Sequence, residues 1–159
     1  ARTLVGGALQ DHPLTVRDGR IDSGPARELD LSGYLFLPGI IDLHGDGFER
    51  HLSPRPTAPF DKAKGLGSVA GELAANGITT AWLAQSWSWE GGFRSGEAAV
   101  SLLAALDRAR PDLLADMRVQ LRLETHVIDQ HAAVVEAVAW HGGDFVVFNN
   151  HLPEAVDMA

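Results

Sequence analysis

The hydrophobic pattern changes period several times along the chain, and each change marks a predicted element. In residues 1–34 short apolar runs are broken by Gly, Asp and Pro, which predicts short strands and turns. Thr15-Val16-Arg17 and Arg20-Ile21 flank Asp18-Gly19, a dipeptide suited to a tight hairpin turn. Tyr34–Leu43 is almost wholly apolar, the pattern of a strand buried on both faces of a parallel sheet, with Pro38-Gly39 bending its entrance. Pro54, Pro56 and Pro59 make 52–61 a loop. A helix is expected from about Lys64 to Ala75, closed by Asn76-Gly77. Ile78–Leu83 then reads as a strand, followed by a loop through Trp87, Trp89, Gly91 and Gly92.

Beyond that loop, Ser95 is a suitable N-cap, and Ala99, Leu102, Leu103 and Leu106 recur at helical spacing until Pro111 ends or restarts the helix. Val119–Leu123 is a third barrel-type strand, ending at Glu124. Val134, Val135 and Val138 form a helical stripe closed by Gly142-Gly143, and Phe145–Phe148 is a fourth strand ending near His151. A hairpin followed by four strand–helix alternations implies an α/β fold with a parallel sheet and helices outside it. Four such units are half of a (β/α)₈ barrel. The expected organisation is an N-terminal β segment over 1–34 and the first half of a barrel over 35–159.

Composition narrows the chemistry. The chain has no cysteine, which excludes disulfides, thiolate metal sites and a cysteine nucleophile. Its net charge is −8 and its Lys and Arg are not clustered, which argues against a nucleic-acid partner. No run of about 18 apolar residues is present, and the apolar start Leu4-Val5 is too short for a signal peptide. No membrane partner and a cytoplasmic location are therefore expected.

The informative polar residues follow strands. His44 and Asp46 follow the first barrel-type strand, Glu124 and His126 the third, and Asn149, Asn150 and His151 the fourth. The C-terminal ends of barrel strands are where such folds carry their active sites. Residues two apart on a strand point to one side, so His44 and Asp46 can reach one ion. His and carboxylate ligands without thiolate suit zinc, manganese or iron, and a coordinated water would be activated as a nucleophile. A lone His-x-Asp is also common in loops, and Glu124 could be a strand-end residue paired to Arg122 or Arg118, or simply solvated. His126, His131 and His141 read as surface residues, and Trp82, Trp87 and Trp89 as core and loop packing.

The stretch Leu37-Pro38-Gly39-Ile40-Ile41-Asp42-Leu43-His44 resembles the strand-one signature of the amidohydrolase superfamily, and Val16–Ile21 resembles the opening hairpin of its β-sandwich domain. The continuation His44–Pro56, with Ser53-Pro54-Arg55-Pro56, is similar to the phosphonate-metabolism branch. Asn76–Thr80, Leu121–Glu124 and Asn150-His151-Leu152-Pro153 are similar to it as well. The resemblance implies a metal-dependent hydrolase that releases pyrophosphate from a ribosyl methylphosphonate triphosphate. It implies one or two divalent ions, zinc first, held by His44, Asp46 and a bridging Glu124. Arg55 and His151 are implied contacts to a small phosphorylated substrate; a guanidinium fork matches phosphate oxygens, although Arg55 could instead stabilise its loop.

The chain also departs from the branch. Gly45 and Gly47 replace larger residues, Val69-Ala70 stands where a His-Asp pair is expected, and Gln85–Gly92 is an unfamiliar loop. A divergent amidohydrolase cleaving a C–N bond, or a non-enzymatic half-barrel assembly, therefore stay open. A complete barrel needs about 250 residues, so the 159-residue chain is expected to be the N-terminal part of one, inactive alone and prone to self-association through exposed sheet edges.

Overall fold

The computed structural model describes residues 1–55, 58–143 and 145–157. The chain divides into two compact units, Ala1–Gly39 and Ile40–Ala159. In the first, β1 (Arg2–Val5) pairs antiparallel with β2 (Ala8–Gln10), and β3 (Thr15–Arg17) pairs antiparallel with β4 (Arg20–Asp22). The expected Asp18-Gly19 turn is present: both residues have positive φ, 50° and 72°, as a two-residue hairpin with the right twist requires. A second hairpin at Gly6-Gly7 is built the same way. The strand expected over Tyr34–Leu43 is two strands. β5 (Leu35–Phe36) runs parallel to β1 in the first unit, while β6 (Ile40–Gly45) belongs to the second. Pro38 lacks the N–H that a continuous ladder would need, so Pro38-Gly39 separates the strands rather than bending one. Residues 35–39 accordingly group with the first unit.

In the second unit α1 (Glu49–Leu52) and α2 (Lys62–Ala75) lead to β7 (Ile78–Trp87). Then come α3 (Gly96–Ala109), β8 (Asp116–Glu124), α4 (His131–His141), β9 (Phe145–Asn149) and α5 (Leu152–Asp157). The strands form one all-parallel sheet in the order β6-β7-β8-β9. Ser95 caps α3 as expected, accepting from the backbone of Ala98, and α4 ends on Gly142 in the left-handed region. α2 begins two residues before the expected Lys64, because Asp61 caps it by accepting from the Lys64 backbone. The register of β7 with β8 continues past Leu83 to Trp87, so the loop expected at Trp87 begins only after it.

One face of the sheet is covered by α2, α3 and α4. Leu83, Met117, Val119, Leu121 and Leu123 meet Leu66, Val69, Leu102, Leu106 and Val134 in a continuous core. Each fully buried Leu contributes about 1.5–3 kcal/mol. Gly96 lets α3 approach β7 closely, because a Cβ there would lie 2.6 Å from the Trp87 ring. The edges differ. β6 was expected to be buried on both faces, yet Ile40, Ile41 and Leu43 are exposed, Ile41 by 62%. Among the described residues it is an edge strand of this sheet, paired with β7, which an apolar sequence cannot by itself reveal. Phe148 on the opposite edge strand is exposed too. Among the described residues no helix is long and apolar enough to cross a membrane.

Candidate functional site at the strand ends

The second face of the sheet is polar because β8 alternates. Met117, Val119, Leu121 and Leu123 enter the core, leaving Arg118, Gln120, Arg122 and Glu124 on the other side, as a two-residue period dictates. Arg118 lies over the Trp82 ring at 4.9 Å. Further along, each of the other three residues meets a group from a different part of the chain.

Gln120 is buried and meets β6. Its Nε2 donates to Leu43 O at 2.8 Å, and its Oε1 lies 2.6 Å from His44 Nδ1. The His44 backbone N–H donates to Asp42 Oδ1 at 2.9 Å, and the β6–β7 register shifts between Asp42 and Gly45. The imidazole ends with Nε2 3.6 Å from Asp46 Oδ1. Arg122 Nη1 approaches the same carboxylate at 3.9 Å. Two ligands of a tetrahedral ion held at about 2.1 Å stand about 3.4 Å apart, so the His44–Asp46 spacing fits a shared divalent ion. The donor set, imidazole nitrogen plus carboxylate oxygen, is that of zinc or manganese.

Glu124 is only 3% exposed. It accepts from the His151 backbone N–H at 3.0 Å and pairs with His151 Nδ1. Glu124 is thus bonded to the loop after β9, in place of the ion pair to Arg122 or Arg118 that the sequence also allows. His126 Nδ1 stands 4.0 Å from the second carboxylate oxygen and is buried without a hydrogen-bond partner among the described residues. The structure therefore brings His44 to Asp46, and Glu124 to His151. Among the described residues no three His, Asp or Glu side chains are grouped to hold one ion, so the set His44, Asp46 and Glu124 is not gathered around one point. Arg55 sits apart, exposed in a bridge with Ala58, and does not line the cavity below. Pro56 of its Ser-Pro-Arg-Pro stretch lies outside the described residues.

A cavity of about 330 Å³ opens at the ends of β7, β8 and β9, lined by Trp89, Glu90, Arg94, Arg122, Glu124 and His151 among others. Glu90 accepts from Arg94 at 2.9 and 3.1 Å and from Ser88 Oγ at 3.1 Å. Burial pushes the Glu90 carboxyl up, but those hydrogen bonds and the charges of Arg94 and His151 outweigh it and hold it below its ordinary value. Glu49 goes the other way. Burial raises its carboxyl, with Asp46 adding to the effect and Arg94 and Arg122 opposing it.

Sequence reading missed Gln120, Arg122, Glu90 and Arg94. The signal for the first two was available as the period-2 alternation of Arg118-x-Gln120-x-Arg122-x-Glu124. Glu90 lies in the loop 85–92 that departs from the branch and Arg94 just after it, where spacing carries no such information. His126, His131 and His141 are partly buried, not surface residues. His126 packs on Trp89 with ring centroids 4.4 Å apart, and His141 is bonded to Asp107. Trp87 is packing, as expected, with Nε1 donating to Gln130; Trp89 instead lines the cavity. Comparisons with family models, with curated proteins and with solved structures gave no match to this chain.

Proposed function

We propose that the chain carries the first four units of a (β/α)₈ barrel of the amidohydrolase type, and that its strand ends serve metal-dependent hydrolysis of a phosphorylated substrate. The observation that carries this reading is the pairing of His44 Nε2 with Asp46 Oδ1 at 3.6 Å, at the C-terminal end of a parallel strand where barrel active sites lie. His44 and Asp46 would hold a divalent ion, zinc first, and Glu124, which the resemblance makes a bridging ligand, would have to exchange its bonds to His151 to join them. When bound, such an ion activates water and stabilises charge on phosphoryl oxygens.

The remaining roles belong to the protein's own side chains. Arg94 and Arg122 line the cavity, where guanidinium groups suit phosphate oxygens. Arg122 Nε is buried without a partner among the described residues, a donor that an anionic ligand could satisfy. This favours a phosphorylated substrate over a neutral cyclic amide, since Arg94 is already answered by Glu90 but the Arg122 Nε–H is not, among the described residues. Trp89 supplies an apolar wall, and Glu124 fixes His151 at the rim. Within the branch that the sequence resembles, the substrate is α-D-ribose 1-methylphosphonate 5-triphosphate, cleaved to the 5-phosphate and pyrophosphate by a cytoplasmic enzyme.

The test is incubation of that triphosphate and Zn²⁺ or Mn²⁺ with the complete barrel that these four units would begin, since the four units alone are expected to be inactive, followed by phosphorus NMR. Pyrophosphate should form in a chelator-sensitive way, and Arg122→Ala should raise KM by about 10-fold or more, the loss of one charge-assisted contact of about 1.5–3 kcal/mol. Release of product from a cyclic amide, with the triphosphate untouched, would refute the phosphate reading.

A further inference from the structure

We propose that Gln120 is a positioning residue that fixes His44 in the Nδ1–H tautomer, leaving the Nε2 lone pair free and turned toward Asp46, and that the small side chain of Ala84 makes this contact possible. The tautomer assignment stands on hydrogen-bond logic alone; its link to ion binding rests on the metal-site reading above.

The logic begins at Leu43. A backbone carbonyl oxygen only accepts, so the Gln120 atom 2.8 Å from Leu43 O must be the amide nitrogen. The other end of the same amide, facing His44 Nδ1 at 2.6 Å, is therefore the carbonyl oxygen. A carbonyl oxygen can face a ring nitrogen at that distance only if the nitrogen carries the proton. Neutral imidazole carries one proton, so Nε2 is bare. Asp46 competes for the opposite tautomer, since its carboxylate would accept from an Nε2–H. That competition is weak: the separation of 3.6 Å is beyond a good hydrogen bond, and the Asp46 side chain is 67% exposed. The Gln120 bond is 1.0 Å shorter, and Gln120 is 2% exposed, so the buried bond decides. A histidine that ligates metal typically donates its other ring N–H to an acceptor, which fixes tautomer and orientation together. Gln120 stands in that relation to His44.

The contact also explains a sequence choice on β7. β6 and β8 are not neighbours, because β7 lies between them. His44 and Gln120 must meet across that strand, and the β7 residue in register with Gln120 is Ala84. Ala84 is almost fully buried. A larger side chain there would occupy the space through which the amide and the ring reach each other.

The experiment is nitrogen-15 NMR of histidine-labelled protein at a pH where His44 is neutral, which reports the protonated ring nitrogen without any metal. The wild-type protein should show His44 protonated on Nδ1. Gln120→Leu should return it toward the Nε2–H form that free imidazole side chains prefer, while Gln120→Glu, which loses the donor to Leu43 O but keeps an acceptor oxygen for Nδ1–H, should hold the wild-type form. A Zn²⁺ titration of the same proteins should show affinity falling 10–100-fold in Gln120→Leu and recovering in Gln120→Glu. If Gln120→Leu does not fold, Ala84→Val tests the same contact from the other strand and should shift the tautomer in the same direction. Wild-type His44 protonated on Nε2, or a tautomer indifferent to these substitutions, would overturn the proposal. A tautomer shift accompanied by no Zn²⁺ binding in any variant would uphold the positioning role and sink the metal-site reading instead.

Discussion

The two ends of β8 use similar residues for different purposes. At its start, Asp116 pairs with Arg118 at 2.8 Å and lies 3.9 Å from Arg110, while Asp107 pairs with Arg110 and with His141. Arg110 also donates to Met117 O at 3.0 Å. These charges answer one another and tie α3, α4 and β8 together. At the far end Arg122 and Glu124 have the same chemical types, but the arrangement leaves donors over: Arg122 Nε and His126 Nδ1 are buried without partners among the described residues. Buried polar atoms without partners cost about 1–3 kcal/mol each; Gln85 Oε1 and His131 Nε2 share that state elsewhere in the unit, whereas Arg122 lines the cavity, where a ligand could answer it. The lesson is that charged residues around a cavity do not mark a site by themselves; incomplete satisfaction next to a cavity does.

The contrast can be broken by substitutions that separate stability from ligand binding. The largest effect belongs to the core between the two ends. Leu121→Ala should cost about 2–5 kcal/mol in urea unfolding, as a large-to-small change at a fully buried site does. Next, Glu124→Gln keeps an acceptor for the His151 N–H while removing a charge. Calorimetry should therefore show stability within about 1 kcal/mol of wild type and Zn²⁺ affinity reduced about 10-fold. A large loss of stability with unchanged affinity would make the far end as structural as the near one. Asp116→Asn should cost about 0.2–1 kcal/mol, the range for partly exposed ion pairs, and leave Zn²⁺ binding untouched.

The smallest effect is a pH dependence. The Glu49 carboxyl is raised by burial, so the folded protein holds this proton more tightly than the unfolded chain does. Its contribution to stability is favourable at low pH and is lost as pH rises from its unfolded value through its raised folded value. Glu49→Gln should abolish that decline, read as urea midpoints across the window just above the ordinary carboxylate range. Glu90, held low, contributes in the opposite sense: its stability is present above the ordinary value and lost as pH falls through the lowered one.

Much of this arrangement was legible in the sequence because it is written in local periodicity. The Asp18-Gly19 hairpin, the caps at Ser95 and Gly142, and the strand–helix alternation from Ile78 onward all follow from short-range rules. Ile40–Leu43 resisted reading because burial depends on neighbours: an apolar run at a sheet edge looks the same as one at its centre. The site was half legible. His44, Asp46 and Glu124 stand out as polar residues ending apolar strands. The partner of each was not, because Gln120 meets His44 across an intervening strand, and Glu124 meets His151 through a loop 27 residues on.

The most direct test of a metal-competent strand end is calorimetric titration of Zn²⁺ into the protein and into His44→Ala. The account predicts saturable binding of one or two ions per chain, weakened at least 10-fold by the substitution. Absence of saturable binding, or an affinity indifferent to the loss of the imidazole, would contradict it.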